Sequence, residues 1–149
     1  MTENDKSLIR PVDLQLALSL LTRVPVRVSA YERSAEAAWA YPLVGVVLGT
    51  LAALGGLAAG WIGLPPPLSA LVALSLLIVL SGAMHEDGLA DTADGLWGGW
   101  TLENRLEIMK DLHIGREGVL AGIVSDGARG GALWLVFEAG PATAAVALI

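Results

Sequence analysis

Three aspartates stand within eight residues of one another in the segment His85-Glu86-Asp87-Gly88-Leu89-Ala90-Asp91-Thr92-Ala93-Asp94-Gly95, directly after a long apolar run. Asp87, Asp91 and Asp94 are spaced i, i+4 and i+7, which places them on one face of an α-helix within about two turns. Like charges at this spacing repel one another by a few tenths of a kcal/mol per pair, and a bound cation would reverse that effect. The spacing predicts either a cation site or a solvated acidic face, and both interpretations stay open.

The composition around this motif favours a hard cation with a bulky ligand. The residues beside the three carboxylates are small: Gly88, Ala90, Ala93 and Gly95. Oxygen ligands suit Mg²⁺, which is held by a few carboxylates and completed by waters and substrate phosphates. Asp87 could instead cap a helix, and His85 could bind substrate, act as an acid or base, or cap the preceding span. Zinc is disfavoured because the chain has two histidines and no cysteine.

The whole chain has the composition of a membrane protein. Its 149 residues are 54% hydrophobic and 16% charged, whereas about 25% charged is usual in soluble domains. The 18 glycines agree with this, since glycine is commoner in transmembrane helices than in soluble ones. We therefore predict an all-α, multi-pass helical membrane protein that contacts the lipid bilayer. The absence of cysteine excludes disulfides, thiolate metal sites and a cysteine nucleophile.

The negative charge is concentrated in one region. The net charge is −6, and residues 85–118 hold eight acidic and three basic side chains, which gives −5. This balance argues against a nucleic-acid partner. An acidic region of this kind favours cations, or an anionic substrate that carries a metal.

Two apolar runs precede the acidic segment and predict a transmembrane hairpin over residues 43–84. Residues 43–64 contain no charge over 22 residues, which is enough to cross a hydrocarbon core of about 30 Å. Three prolines at 65–67 predict a tight loop, and residues 68–84 form the second run of 17 residues. Basic residues flank the hairpin and are missing from its loop. The positive-inside rule then predicts that the N-terminus and the acidic segment are cytoplasmic.

Glycines recur at a spacing of four residues within the first run, which predicts close approach of another helix. The two pairs are Gly45 with Gly49 and Gly56 with Gly60.

Residues 1–42 are expected to be cytoplasmic or interfacial. The apolar stretch at 12–21 is too short to span a bilayer. It predicts an interfacial or re-entrant helix, or an amphipathic helix packed on the others. Residues 27–40 are expected to form a polar, helical connector.

Residues 119–149 are expected to hold a third span, 119–137, and the start of a fourth. Asp126 and Arg129 lie inside the third span, where one charged group costs about 2.5–3.5 kcal/mol on insertion scales. At a spacing of three residues the two can pair on a helix and offset part of that cost.

A second charged cluster occupies residues 105–118. Apolar residues at helical spacing predict an amphipathic helix over about 102–113, with Thr101 as its N-cap, and Gly115 and Gly118 breaking it before the third span. Three basic residues could neutralise phosphate while Asp111 joins a metal shell: Arg105, Lys110 and Arg116. The alternative is a solvated amphipathic helix.

Two ordered motifs carry a family resemblance. They are His85-x-Asp87-Gly88-Leu89-Ala90-Asp91-x-x-Asp94-Gly95 and Arg105-Leu106-Glu107-Ile108-Met109-Lys110-Asp111-x-x-x-Gly115-x-x-Gly118. The chain strongly resembles the cobalamin synthase family, the adenosylcobinamide-GDP ribazoletransferases. The stretches 21–25 and 41–45 are also similar to that family's N-terminal elements.

The resemblance implies a Mg²⁺-dependent, multi-pass enzyme of the inner or plasma membrane. It would join adenosylcobinamide-GDP to α-ribazole or its 5′-phosphate in the last steps of vitamin B12 assembly, releasing GMP. Such a transfer needs charge neutralisation and in-line positioning more than covalent help. Self-association is left open.

The resemblance also assigns roles to residues of this chain. The implied metal ligands are Asp87, Asp91 and Asp94, with Asp111 assisting. A metal-bound carboxylate such as Asp87, or else His85, would take the hydroxyl proton. The implied substrate or phosphate contacts are Arg105, Lys110, His113 and Arg116.

Three departures from the family pattern bear on activity. Leu112 and His113 stand where family members carry a Ser-Arg pair, and residues 125–130 are polar inside the third span. Family members are also longer, so we expect that C-terminal spans are missing. The alternative prediction is a non-catalytic or inactive truncated membrane subunit that needs a partner to complete its helical bundle.

Overall fold

The computed structural model describes residues 9–28, 31 and 33–149. Within these residues the protein is helical and contains no strand, which confirms the all-α prediction. The helices are α1 (Pro11–Leu21), a short 3₁₀ helix (Glu36–Ala40), α2 (Tyr41–Trp61), α3 (Pro66–Ser81), α4 (Met84–Gly98), α5 (Leu102–Ile108), α6 (Arg116–Glu138) and α7 (Pro141–Leu148).

Two helices are long and apolar enough to cross a membrane. They are α2, taken together with the 3₁₀ helix as 26 residues, and α6 with 23 residues. Helices α3 and α4 meet the same criterion as a pair, although they are bent by 82° at the break between them. The first and third predicted spans are confirmed in length and composition, whereas α3, the second, has 16 residues and meets the criterion only together with α4.

Helices α2 and α3 form the predicted hairpin, packed against each other along their length. The connection, residues 62–65, lies earlier than the predicted loop at 65–67, because α2 ends at Trp61 and α3 already begins at Pro66. Proline is well suited to the first helical turn, where its missing N–H has no intrahelical acceptor. Gly63 has φ +96°, a left-handed conformation that suits glycine in the turn.

The predicted close packing at glycine is confirmed at two positions of α2. A Cβ at Gly49 would collide with the carbonyl oxygen of Leu148 in α7, and one at Gly56 would collide with the ring of Phe137 in α6. At Gly45 the prediction is wrong, because an added Cβ would meet nothing within 4 Å. The four-residue spacing predicts that the glycines share one helix face. The position of the neighbouring helix determines which of them it contacts closely.

Helix α1 packs on the 3₁₀ helix and on α2 through Ala17, Ala40, Val44 and Leu48. The predicted helix at 12–21 is confirmed, whereas the predicted helical connector is helical only at Glu36–Ala40. The chain bends at Arg23 and Val24, where the Thr22 hydroxyl accepts the Val24 N–H at 3.1 Å and the Val24 carbonyl accepts the Val26 N–H at 2.8 Å. The parts of these predictions that concern residues 1–8, 29, 30 and 32 lie outside the described residues.

Asp13 joins α1 to the 3₁₀ helix through contacts that no local sequence pattern predicts. Its carboxylate is fully buried and accepts hydrogen bonds from Trp39 Nε1 at 3.0 Å, Arg33 Nε at 3.2 Å and the Arg10 amide at 2.9 Å. The hydrogen bond from Trp39 is the main reason that the pKa of Asp13 falls from 3.8 to about 2, against the opposing effect of burial. A buried carboxylate needs such partners to stay charged.

We expect Asp13→Asn to lower the melting temperature of the purified protein at neutral pH. Because the pKa is depressed on folding, the unfolded state binds more protons below its ordinary value of 3.8, so stability rises with pH there. The stabilisation from Asp13 is present above pH 3.8 and is lost as pH falls through about 2. The melting temperatures of the wild type and the variant should therefore converge as the pH falls from 3.8 to about 2. Glu36→Gln, at an exposed position of the 3₁₀ helix, is the control, and a constant difference down to pH 2 would contradict the assignment.

Arg23 connects the N-terminal segment to the corner between α3 and α4. Its amide donates to the Leu80 carbonyl at 2.8 Å, and its side chain lies where a Cβ on Gly82 would be. Gly82 and Ala83 have φ +70° and +58°, and these two left-handed residues turn the chain from α3 into α4. The corner fixes the direction of the helix that carries the acidic motif.

Candidate functional site

Helix α4 carries the whole acidic motif without interruption, so its three aspartates keep the predicted helical spacing. Their carboxylates nevertheless have different surroundings. Asp87 and Asp91 line a cavity of about 170 Å³, whereas Asp94 is buried against the start of α6. One face of the helix therefore serves two purposes.

The cavity lies between α4 and the loop that follows α5. Its lining residues are Asp87, Ala90, Asp91, Met109, Lys110, Asp111, Leu112 and Ile114. The structure thus brings Asp111 and Lys110 beside two aspartates of the acidic motif, and their roles in metal and phosphate binding stay predictions. Three carboxylates and one ammonium group share this small cavity.

The loop exists because α5 ends at Ile108, so the helix predicted to reach residue 113 is too long by about a turn. The Asp111 carboxylate accepts the His113 N–H at 3.2 Å, a local side-chain contact that competes with helical hydrogen bonding. The predicted N-cap is confirmed, since the Thr101 hydroxyl accepts the Asn104 N–H at 3.2 Å. Gly118 does not break a helix as predicted: Gly115 is the N-cap of α6, and Gly118 lies within its first turn.

His113 and Asp111 form an exposed pair at the rim of the cavity. Their Nδ1 and Oδ1 atoms are 2.7 Å apart, and the hydrogen bond raises the pKa of His113 and lowers that of Asp111. His113 therefore holds its positive charge to higher pH than a free imidazole. It still lacks the two-pronged geometry of a guanidinium.

Two other basic residues predicted to contact phosphate form hydrogen bonds with groups of the protein itself. Arg105 Nε donates to the Gly99 carbonyl at 2.9 Å, which ties α5 to the end of α4. Arg116 Nε donates to Glu117 at 2.7 Å, and its side chain is 88% exposed. Of the predicted phosphate-binding residues, only Lys110 lines the cavity.

His85 is exposed and stands two residues before Asp87 on the same helix. Residues i and i+2 of an α-helix do not face each other. His85 therefore points away from the side of α4 that lines the cavity.

The carboxylate oxygens around the cavity suit a cation that is also bound by an anionic substrate. Among the described residues, no three His, Asp or Glu side chains converge closely enough to hold a metal ion by themselves. Mg²⁺ is commonly held by one or two carboxylates, with substrate phosphates and waters completing its octahedron. Asp87, Asp91 and Asp111 offer hard oxygen donors of this kind around one small cavity.

A charged cluster between α4 and α6 holds another side of α4. Arg129 NH1 donates to Asp126 at 3.2 Å, as the i, i+3 spacing predicted, and also to Glu86 on α4. The contact with Glu86 was missed because 43 residues separate the partners and no local pattern links them. The position of the Arg129 charge inside an apolar run did indicate that it has an oppositely charged partner, but it did not identify which residue that is.

These observations define a class of protein: a polytopic helical bundle whose acidic cavity lies beside the corner between α3 and α4. The chain belongs to the cobalamin-5-phosphate synthase family, whose model matches residues 13–149.

Individual relatives agree with this assignment. The chain is 45% identical to the adenosylcobinamide-GDP ribazoletransferase of Bradyrhizobium diazoefficiens over 144 residues, which cover 91% of this chain and 55% of that protein. It is 40% identical to the protein of the same name from Rhizobium johnstonii, over 92% of this chain and 55% of the relative. The Brucella canis protein is 39% identical, with 89% and 53% covered. The chain thus spans about half the length of the curated relatives it matches. No solved structure matches it.

Proposed function

We propose that the protein transfers the cobinamide-phosphoryl group of adenosylcobinamide-GDP to α-ribazole or its 5′-phosphate. The observation that carries the proposal is the cavity in which Asp87 and Asp91 of the first motif meet Lys110 and Asp111 of the second. Its relatives' name, adenosylcobinamide-GDP ribazoletransferase, supplies the first substrate and the reaction class. The products are GMP and adenosylcobalamin or its 5′-phosphate.

In the reaction, a ribose hydroxyl oxygen attacks the phosphorus linked to the cobinamide arm. The bond from that phosphorus to the bridging oxygen breaks, and GMP leaves with the bridging oxygen. The barrier of such a transfer is lowered mainly by holding the two oxygens in line and by neutralising charge on the phosphoryl group.

The residues of the cavity suit this task. The Lys110 ammonium neutralises phosphate oxygens, and the Asp87 carboxylate accepts the proton of the attacking hydroxyl. Asp87 is preferred over His85 because His85 lies on another side of α4. When bound, Mg²⁺ would supply further positive charge toward the pyrophosphate, and its one or two protein ligands would come from Asp87, Asp91 and Asp111.

The bend between α3 and α4 supports a location at the surface of the inner membrane. If α3 follows the direction of the spans, the 82° bend sets α4 nearly parallel to the bilayer plane. Trp97 and Trp100, 74% and 93% exposed near the end of α4, then lie where amphipathic aromatic side chains prefer to be. The distribution of basic residues supports a cytoplasmic location for this surface.

The test is a direct assay of the purified chain in liposomes. We expect GMP release from adenosylcobinamide-GDP that requires both α-ribazole and Mg²⁺. Release without α-ribazole would indicate hydrolysis and contradict the transferase assignment. A chain that inserts and binds cation but releases no GMP would instead support a subunit that needs a partner to complete its bundle.

A further inference from the structure

The third aspartate of the acidic motif is engaged with helix α6. Its side chain is 9% exposed. Oδ2 of Asp94 accepts the Gly115 N–H at 2.7 Å, and Oδ1 accepts the Gly118 N–H at 2.8 Å. Both oxygens are therefore occupied by backbone donors, and Asp94 does not line the cavity of Asp87 and Asp91.

These contacts complete the N-terminus of α6. The first four N–H groups of a helix have no intrahelical acceptor, and they are usually satisfied by the side chain of the N-cap residue. The N-cap here is Gly115, which has no side chain. Asp94 supplies the missing oxygens from another helix, and its negative charge is favoured at the positive end of the helix dipole.

The two glycines of the second motif are the steric complement of this carboxylate. A Cβ at Gly115 would collide with Asp94, and the three atoms nearest to it all belong to that side chain. A Cβ at Gly118 would also collide with Asp94 and would come within 3.0 Å of the Ala90 carbonyl oxygen. The end of the first motif and the end of the second thus form one joint.

The joint holds one end of the loop that carries Lys110 and Asp111. Gly95, the residue after Asp94, holds the other end, because its missing Cβ makes room for the Met109 side chain. Adjacent residues of α4 therefore fix the loop where it begins and where it ends.

We propose that Asp94 is a positioning residue that sets the loop 109–115 over α4, and that it is not a ligand of the cation. The consequence for catalysis rests on the proposed function, whereas the joint itself does not. Asp94 differs in this from Asp87 and Asp91, although all three share one helix face.

A double-mutant cycle tests the joint without any assay of activity. Gly115→Ala should lower the melting temperature of the wild-type protein, because its Cβ meets the Asp94 carboxylate. The Asp94→Ala background lacks that carboxylate. In it, Gly115→Ala should lower the melting temperature by less than about one third of the decrease seen in the wild type. Equal effects of Gly115→Ala in both backgrounds would overturn the joint. Gly122→Ala, with open space around its Cβ, is the control for a glycine of the same helix.

Spin labels test the positioning role, and the absence of cysteine from the chain makes the labelling selective. Labels on Leu112→Cys in the loop and Thr92→Cys on α4 would occupy exposed positions. We expect a narrow distance distribution in the wild type and a broad one in Asp94→Asn, measured well below both melting temperatures. A purely stabilising residue would leave the distribution unchanged, and that result would overturn the proposal.

Binding of Mn²⁺ alone tests the second half of the proposal. Its Kd should rise by about 10-fold or more in Asp87→Asn, but by at most about 3-fold in Asp94→Asn, where both carboxylates of α4 are kept and only Asp111 on the loosened loop is affected. An equal loss in the two variants would make Asp94 a cation ligand and overturn the proposal. If the protein released no GMP, the proposed function would fail, while the double-mutant cycle and the distance measurement would stand.

Discussion

Replacing Asp87 by Asn is expected to reduce Mg²⁺-dependent GMP release by at least about 100-fold, because the variant loses the carboxylate proposed as both cation ligand and proton acceptor. Membrane insertion should be unchanged, since the side chain is exposed and makes no ion pair within the described residues. The measurement is initial-rate GMP release in liposomes at saturating substrate.

The matched control is Glu103→Gln, which removes one negative charge from an exposed position of α5. It should leave the rate within about 2-fold of wild type, since an exposed charge outside the cavity is screened by salt. Undiminished turnover in Asp87→Asn would remove both roles assigned to this carboxylate. An equal loss in both variants would point to overall charge and not to the cavity.

Replacing Arg129 by Met is expected to cause the largest loss of stability. Arg129 is the cation between Glu86 and Asp126, so its removal leaves two carboxylates facing each other between α4 and α6. The cluster is partly buried, with Glu86 17% and Arg129 40% exposed, so the loss should lie between the about 0–1 kcal/mol of a surface pair and the about 3–5 kcal/mol of a buried pair broken from one side. We expect the variant to unfold at a much lower temperature in lipid nanodiscs, or to fail to insert.

Arg116→Met is the control on the same helix. Its side chain is 88% exposed and pairs with the adjacent Glu117, an arrangement worth about 0–1 kcal/mol. Adding Glu86→Gln and Asp126→Asn to Arg129→Met should recover part of the lost stability, because no uncompensated charge then remains. Similar melting temperatures for the two arginine variants would refute the role of the cluster.

Local patterns predicted those features that depend on neighbours in sequence. The spacing of Asp126 and Arg129 predicted their contact, and Thr101 caps α5 as its residue type indicated. The length of the apolar runs predicted the helices that can span a membrane.

Tertiary contacts decided the rest. Asp87 and Asp94 are equivalent by spacing, and they differ only because the N-terminus of α6 meets one of them. Asp13 interrupts an apolar helix, but the positions of Trp39 and Arg33 follow from how the chain folds back. Gly45 and Gly49 likewise differ only through the placement of α7.

Ala83 has consequences for how force and motion pass through the molecule. It is the one residue other than glycine with positive φ in the described part of the chain, a conformation that costs an L residue about 1–2 kcal/mol. A second glycine after Gly82 would have made this corner a free pivot, because glycine has many backbone states of similar energy. Alanine has few, so the angle between α3 and α4 stays nearly constant. A tilt of α3 in the bilayer would then rotate the acidic helix by the same angle.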